Sequence, residues 1–196
     1  DCRFPVQYVI RPQTEEYHDY RGYAGRIAGG VFKPGDEVVV LPSGFKSKIK
    51  TIDVMGEQLK EAFAPQSVTM TLEDDLDVSR GDIISKEGNM PETTQDIDVM
   101  VCWLNKKPLL SKGKYTIQHT SKKARCLVNQ VYYKVDINTL HRMDEDLQVN
   151  MNDIAKVRLR ITEPLFVDRY QRNRNTGSLI LVDEASNVTV GACMII

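Results

Sequence analysis

The sequence predicts an all-β chain of two tandem small β-barrels, on three observations. Short runs rich in Val, Ile, Thr and Tyr alternate with turn residues from end to end. No segment sustains a 3.6-residue apolar period with caps at both ends, so helices are not expected. A polar stretch, Lys86-Glu87-Gly88-Asn89-Met90-Pro91-Glu92-Thr93-Thr94, holds Gly and Pro but no apolar partner for a core, and reads as an exposed linker. A chain of 196 residues exceeds one typical domain and fits two small ones, each able to bury its own core. The expected domains are residues 1–90 and 91–196.

The elements follow in order. A strand opens at Arg3-Phe4-Pro5-Val6, and a hairpin is expected around Gly22 to Gly30. Val38 to Leu41, Lys48 to Val54 and Ser67 to Leu72 read as strands. They are separated by the turns Lys33-Pro34-Gly35-Asp36, Pro42-Ser43-Gly44 and Met55-Gly56-Glu57. Gly29-Gly30 and Gly35 are placed to take positive φ where the chain reverses, and Pro34 presets its φ for the turn. Beyond the linker, strands are expected at Asp98 to Leu104, Tyr115 to His119, Ala124 to Asn138, Ala155 to Ile161 and Ser178 to Val182.

Composition excludes several function classes. The 26 basic and 27 acidic residues leave a formal charge of -1, which gives no global attraction to nucleic acid or to an anionic membrane. Apolar runs such as Ser178 to Val182 fall far short of the about 20 residues a bilayer span needs. Cys2, Cys102, Cys126 and Cys193 are scattered, with no Cys-x-x-Cys pair, and read as free thiols in a reducing cytoplasm. Opening on Asp1 rather than Met, the chain is expected to be a piece of a longer protein.

No catalytic motif in the sequence is complete. Cradling the phosphates of GTP takes Gly-x-x-x-x-Gly-Lys-Ser/Thr, because backbone amides and a lysine must neutralise them. Gly25 to Gly30 and Gly30 to Gly35 have the glycine spacing, but Val31-Phe32 and Asp36-Glu37 follow, so both read as hairpin glycines. Asp19-Tyr20-Arg21-Gly22 has the form of a magnesium switch but no phosphate loop upstream. Asn105-Lys106-Lys107-Pro108 begins like a guanine-reading motif and lacks its aspartate. His18, His119 and His141 sit in unrelated contexts, and Glu73-Asp74-Asp75-Leu76-Asp77 lacks the ligand spacing of a calcium loop. No catalytic, cofactor-binding or metal-ligating residue is therefore assigned.

Phe4-Pro5-Val6-Gln7, Arg21-Gly22-Tyr23-Ala24-Gly25-Arg26 and Phe32-Lys33-Pro34-Gly35-Asp36-Glu37-Val38 resemble the second domain of translational GTPases such as elongation factor Tu. Within that superfamily the chain is similar to the GTPase subunits of bacterial sulfate adenylyltransferases. The likeness rests on Arg3 to Val9, Tyr20 to Gly25, Leu41-Pro42-Ser43-Gly44, Asp77 to Asp82, Tyr133 to Leu140, Val157 to Arg160, Glu163-Pro164-Leu165, Tyr170 to Gly177 and Asn187 to Ala192. Cys193 stands where glycine is expected.

The resemblance implies domains two and three of such a subunit: non-catalytic barrels that serve an enzyme only as part of a GTP-dependent nucleotidyltransferase complex. That complex couples GTP hydrolysis to conversion of ATP and sulfate into adenosine 5′-phosphosulfate. GTP and Mg would be held by a GTP-binding domain outside this chain. The implied partners are that domain and the catalytic small subunit. A translation factor holding aminoacyl-tRNA is the rival reading, and the near-neutral charge weighs against it. Fusion of the parent to an adenosine phosphosulfate kinase stays open.

The basic run Asp168-Arg169-Tyr170-Gln171-Arg172-Asn173-Arg174-Asn175 is the candidate contact surface. Arginine presents a planar fork suited to carboxylates, and tyrosine is an amphipathic anchor enriched in interfaces. Arg169, Tyr170, Arg172 and Arg174 are the expected partner-binding residues.

Overall fold

The computed structural model describes residues 1–12 and 20–196. His18 and Asp19, both weighed above, lie outside the described residues. Among the described residues there is no helix, as the apolar periodicity predicts. The chain divides into two compact units, Asp1–Pro91 and Glu92–Ile196.

The first unit contains β1 (Arg3–Ile10), β2 (Gly22–Arg26), β3 (Val31–Phe32), β4 (Glu37–Leu41), β5 (Phe45–Val54), β6 (Glu57–Gln58), β7 (Ala62–Phe63), β8 (Ser67–Leu72) and β9 (Ile83–Lys86). Pairing runs β4-β9-β1-β2-β8-β5, and β4 also pairs with β5, so the sheet closes into an antiparallel ring. β6 hangs on β5, and β3 with β7 forms a separate two-stranded ribbon. Inward side chains alternate with outward ones, the period of two that a pleated strand imposes. Phe4, Val6, Tyr23, Val38, Val40, Ile49, Ile52 and Met70 fill the interior. Each such burial contributes roughly 1.5–3 kcal/mol.

The second unit contains β10 (Glu92–Trp103), β11 (Lys114–His119), β12 (Lys122–Val135), β13 (Arg142–Met143), β14 (Ile154–Val167), β15 (Ser178–Val182) and β16 (Thr189–Ile195). The order β11-β15-β16-β10-β14-β12 is closed by pairing of β11 with β12, and β13 extends the far end of β12. Ile97, Val99, Val101 and Trp103 on β10 face Ala155, Val157, Leu159 and Ile161 on β14 within one core. Closure pairs the edge strands that would otherwise invite intermolecular pairing.

Several boundaries differ from expectation for local reasons. β10 starts at Glu92, not Asp98, because Glu92, Thr93 and Thr94 pair with Val167, Phe166 and Leu165 across a bulge. The polar linker shrinks accordingly. It is also tied down by Arg3, which is fully buried and whose guanidinium donates to the Asn89 carbonyl and, at 3.0 Å, to Asn89 Oδ1. β12 stops at Val135 because the Asp136 carboxylate turns the chain, accepting from the backbone N–H groups of Asn138 and Thr139 at 2.8 and 3.0 Å. Gly30 and Gly35 take φ of 75° and 87°, whereas Gly29 does not enter the left-handed region. Its carbonyl accepts the Arg3 N–H in an antiparallel bridge, so Gly29 is part of a ladder and not of the reversal. Cys126 and Cys193 are buried, while Cys2 and Cys102 are half-buried; all four are free. Burial pushes the Cys126 thiol up to about 12 and the Cys193 thiol up as well.

Candidate functional site

The segment that links β14 to β15 is folded by its own backbone. The Arg169 carbonyl accepts from the N–H groups of Arg172 and Asn173, at 2.9 and 3.0 Å, which winds one tight turn. The Asn173 carbonyl then accepts from Gly177 N at 2.8 Å, and Asn173 Oδ1 accepts from the N–H groups of Asn175 and Thr176. The loop is stitched to the barrel through β16: Tyr170 N donates to the Ile195 carbonyl and Ile195 N to the Gly177 carbonyl, both at 2.8 Å.

Beneath it lies a buried polar pin. Thr176 Oγ1 donates to Asp168 Oδ2 at 2.6 Å, and the Thr176 carbonyl lies 2.8 Å from His119 Nε2 on β11. A carbonyl only accepts, so that ring nitrogen carries the proton. Burial holds the His119 pKa below its ordinary value, opposed by the Thr176 bond and by Asp168. The neutral ring therefore acts as a fixed donor under the loop. Gly177 is required by space: a Cβ there would stand 2.5 Å from both the Asn173 oxygen and the Tyr170 Cα.

Arg169, Arg172 and Arg174 are exposed, and Tyr170 is half-buried. The Arg174 guanidinium lies 6.0 Å from the Tyr170 ring centroid, at the edge of cation–π range. Tyr170 and Arg174 also rim an open depression of about 670 Å³ on the outer face of the second barrel. Ser178, Ile180, Ala192 and Met194 from β15 and β16 contribute to its lining. The structure thus brings Tyr170 and Arg174 together over an apolar floor. What the arrangement offers chemically is recognition of a carboxylate beside an apolar side chain.

The other motifs resolve into local structure. Asn105 Oδ1 accepts from Lys107 N at 3.2 Å, and the Lys107 carbonyl accepts the Trp103 indole N–H at 2.7 Å, so Asn105-Lys106-Lys107 is a turn that seats a core tryptophan. Within the acidic run, Asp74 bonds Ser47, Asp75 pairs with Arg21 at 2.5 Å and Asp77 with Arg11 at 3.5 Å. His141 lies exposed beyond the end of β12.

Sequence reasoning missed the segment from Asp136 to Leu147, which turns back so that β13 pairs with β12 and leaves Ile137, Leu140, Met143 and Leu147 exposed. It also missed Lys134, buried at its base, whose ammonium donates to Asp146 Oδ2 at 2.6 Å and to the Gln148 carbonyl at 3.0 Å. The signal was Asp136 and Asn138, two turn-forming residues that flank Ile137 at the end of the strand expected to reach Asn138.

Residues 96–196 match the family described as GTP-eEF1A C-terminal domain-like. Over its full length the chain is 45% identical to "Bifunctional enzyme CysN/CysC" of Mycobacterium tuberculosis (strain ATCC 25618 / H37Rv), of which it covers 32%. It is 42% identical to "Sulfate adenylyltransferase subunit 1" of Alteromonas mediterranea, of which it covers 41%. All of this chain superposes on 47% of the Sup35 chain solved with GDP, with a TM-score of 0.86 at 16% identity, which shows a shared fold. The chain therefore spans about a third to two fifths of the curated relatives it matches.

Proposed function

The chain belongs to the GTP-eEF1A C-terminal domain-like family, and we propose that its barrels are the non-catalytic part of a sulfate adenylyltransferase GTPase subunit. In this reading the whole protein couples GTP hydrolysis to formation of adenosine 5′-phosphosulfate from ATP and sulfate. GTP and Mg sit in a separate GTP-binding domain, and a catalytic small subunit performs the adenylyl transfer. The observation that carries it is identity of 39–42% over the whole chain to relatives named "Sulfate adenylyltransferase subunit 1". A titration of this chain with GTP and Mg²⁺ at micromolar protein is expected to give no binding heat; measurable affinity would overturn the division of labour.

The barrels supply a rigid base and docking surface. The β14–β15 loop is the contact for the GTP-binding domain or the small subunit, with Arg172 and Arg174 facing carboxylates and Tyr170 the amphipathic anchor. What supports this is the pinned backbone, which presents the exposed arginines from a main chain that needs no ordering at the moment of docking. In the full-length protein, Arg172→Glu with Arg174→Glu should weaken complex assembly or GTP-coupled turnover by about tenfold or more, as removal of interface anchors does. Amide exchange in both barrels should stay unchanged. Unaltered assembly and coupling would return the loop to the role of a solvated connection.

A further inference from the structure

We propose that His119 is the positioning residue of the β14–β15 loop, and that the proton its ring takes up in acid releases residues 171–176 from the barrel while both barrels stay folded. The consequence for docking rests on the functional reading above.

The ring stands at the neck of the loop. Asp168 and Thr176 form its two ends, and Asp168 N donates to the Thr176 carbonyl at 3.3 Å. The same carbonyl takes its shorter bond, 2.8 Å, from His119 Nε2 on β11. Arg169, Tyr170, Arg172 and Arg174 all lie between those ends. His119 is 3% exposed and Thr176 is fully buried, so in the closed loop no bulk water stands ready to replace the ring as donor. Loss of that donor leaves a buried carbonyl with one long bond, which favours opening.

Charge decides the response to pH. The charged groups that face the ring are Asp168 from the loop and Lys122, opposite His119 on β12. Lys122 is itself engaged by Glu163 at 3.2 Å. β15, the other strand beside β11, holds no ionisable side chain. Burial keeps the ring neutral, aided by Lys122 and opposed by the Thr176 bond and by Asp168. An opened loop exposes the ring to water and returns it to its ordinary value of about 6.5. The open form then binds more protons than the closed one, so closure is fully favoured above that pH and weakens as pH falls through it.

The bonds inside the loop supply the probes. Arg172 and Asn173 donate to the Arg169 carbonyl, and Asn175 and Thr176 donate to Asn173 Oδ1. Local opening exposes those four amides to exchange. Tyr170 N and the Gly177 carbonyl stay bonded to Ile195, which anchors both stems and confines release to the stretch bearing Arg172 and Arg174.

Amide exchange of the full-length protein at about pH 7.5 and about pH 5.5, corrected for intrinsic rate, tests this. In the wild type, protection of those four amides should fall about tenfold at the lower pH, with β10 to β16 unchanged. His119→Gln keeps an N–H donor but takes up no proton, so its protection should vary by less than about twofold. His119→Phe keeps an aromatic ring without the donor and should expose the amides at both pH values. Wild-type protection that ignores pH overturns the proposal, as does retained protection in His119→Phe. So does a fall that persists in His119→Gln, which would place the proton on Asp168, or one shared by the strands, which would be global unfolding. Assembly with the small subunit and GTP-coupled turnover, compared between wild type and His119→Gln at both pH values, separate the two readings. Release by the proton with neither quantity affected upholds the role of His119 and sinks the loop as a contact.

Discussion

Replacing Trp103 with alanine lowers the stability of the second barrel by about 3–5 kcal/mol, the range for deleting a buried tryptophan. Its side chain is 1% exposed. It donates its indole N–H to the Lys107 carbonyl at 2.7 Å and meets the Tyr115 ring edge-on, with centroids 5.6 Å apart. Alanine leaves a cavity bounded by closed strands that cannot collapse far, and it orphans the Lys107 carbonyl. Amide exchange along β10 to β16 should accelerate, while β1 to β9 keep their protection because their core is separate. Trp103→Phe, which keeps most of the volume, should cost roughly half as much or less. A loss below about 1 kcal/mol for the alanine variant would mean that the ring contributes little to this core.

The second large effect belongs to Gly177→Ala. The added methyl would meet backbone atoms, the Asn173 oxygen at 2.5 Å and Tyr170 N at 2.6 Å, and a backbone held by its own turn bonds and by two bonds to β16 cannot yield cheaply. A destabilisation of about 1–3 kcal/mol is expected, the usual cost of overpacking. It should come with displacement of Tyr170 and weaker assembly of the parent complex. The chain has one tryptophan, in the second barrel, so its fluorescence in urea reads this unit alone. An alanine variant with an unshifted midpoint and normal assembly would show the loop to be more compliant than its hydrogen bonds imply.

Both experiments probe what sequence pattern conveyed unevenly. Ser67–Leu72 and Ser178–Val182 were legible as strands to the residue, because each is a short β-branched or aliphatic run bounded by turn chemistry. β12 was overrun to Asn138, since Ile137 continues the apolar alternation and the reversal depends on how Asp136 bonds two amides ahead. Pattern alone does not distinguish a strand aspartate from a capping one. β16 went unread because Gly191, Ala192 and Cys193 weaken its β character, although Gly191 packs closely on Val101 and Trp103. Arg3 was read as the start of an apolar strand. That it is fully buried and clamps Asn89, 86 residues away, is a long-range fact that local composition cannot contain.

The candidate contact loop was visible as a charge cluster, and its arginines are indeed exposed. Its rigidity was not visible. The pin through His119, Thr176 and Asp168 joins residues 57 and 8 positions apart.

Ring closure also sets a timetable for biosynthesis. β16, the last strand of its unit, pairs with the first, Ile195 opposite Val99 and Gly191 opposite Trp103. No emerging intermediate on the ribosome can complete this ring until nearly every residue of the unit has cleared the exit tunnel. The first unit, complete by Pro91, can fold while the second is still being translated. At about 5–20 residues per second the interval between the two closures is on the order of ten seconds. Until β16 pairs, β10 and β15 keep open edges, and nascent-chain chaperones have that window in which to act.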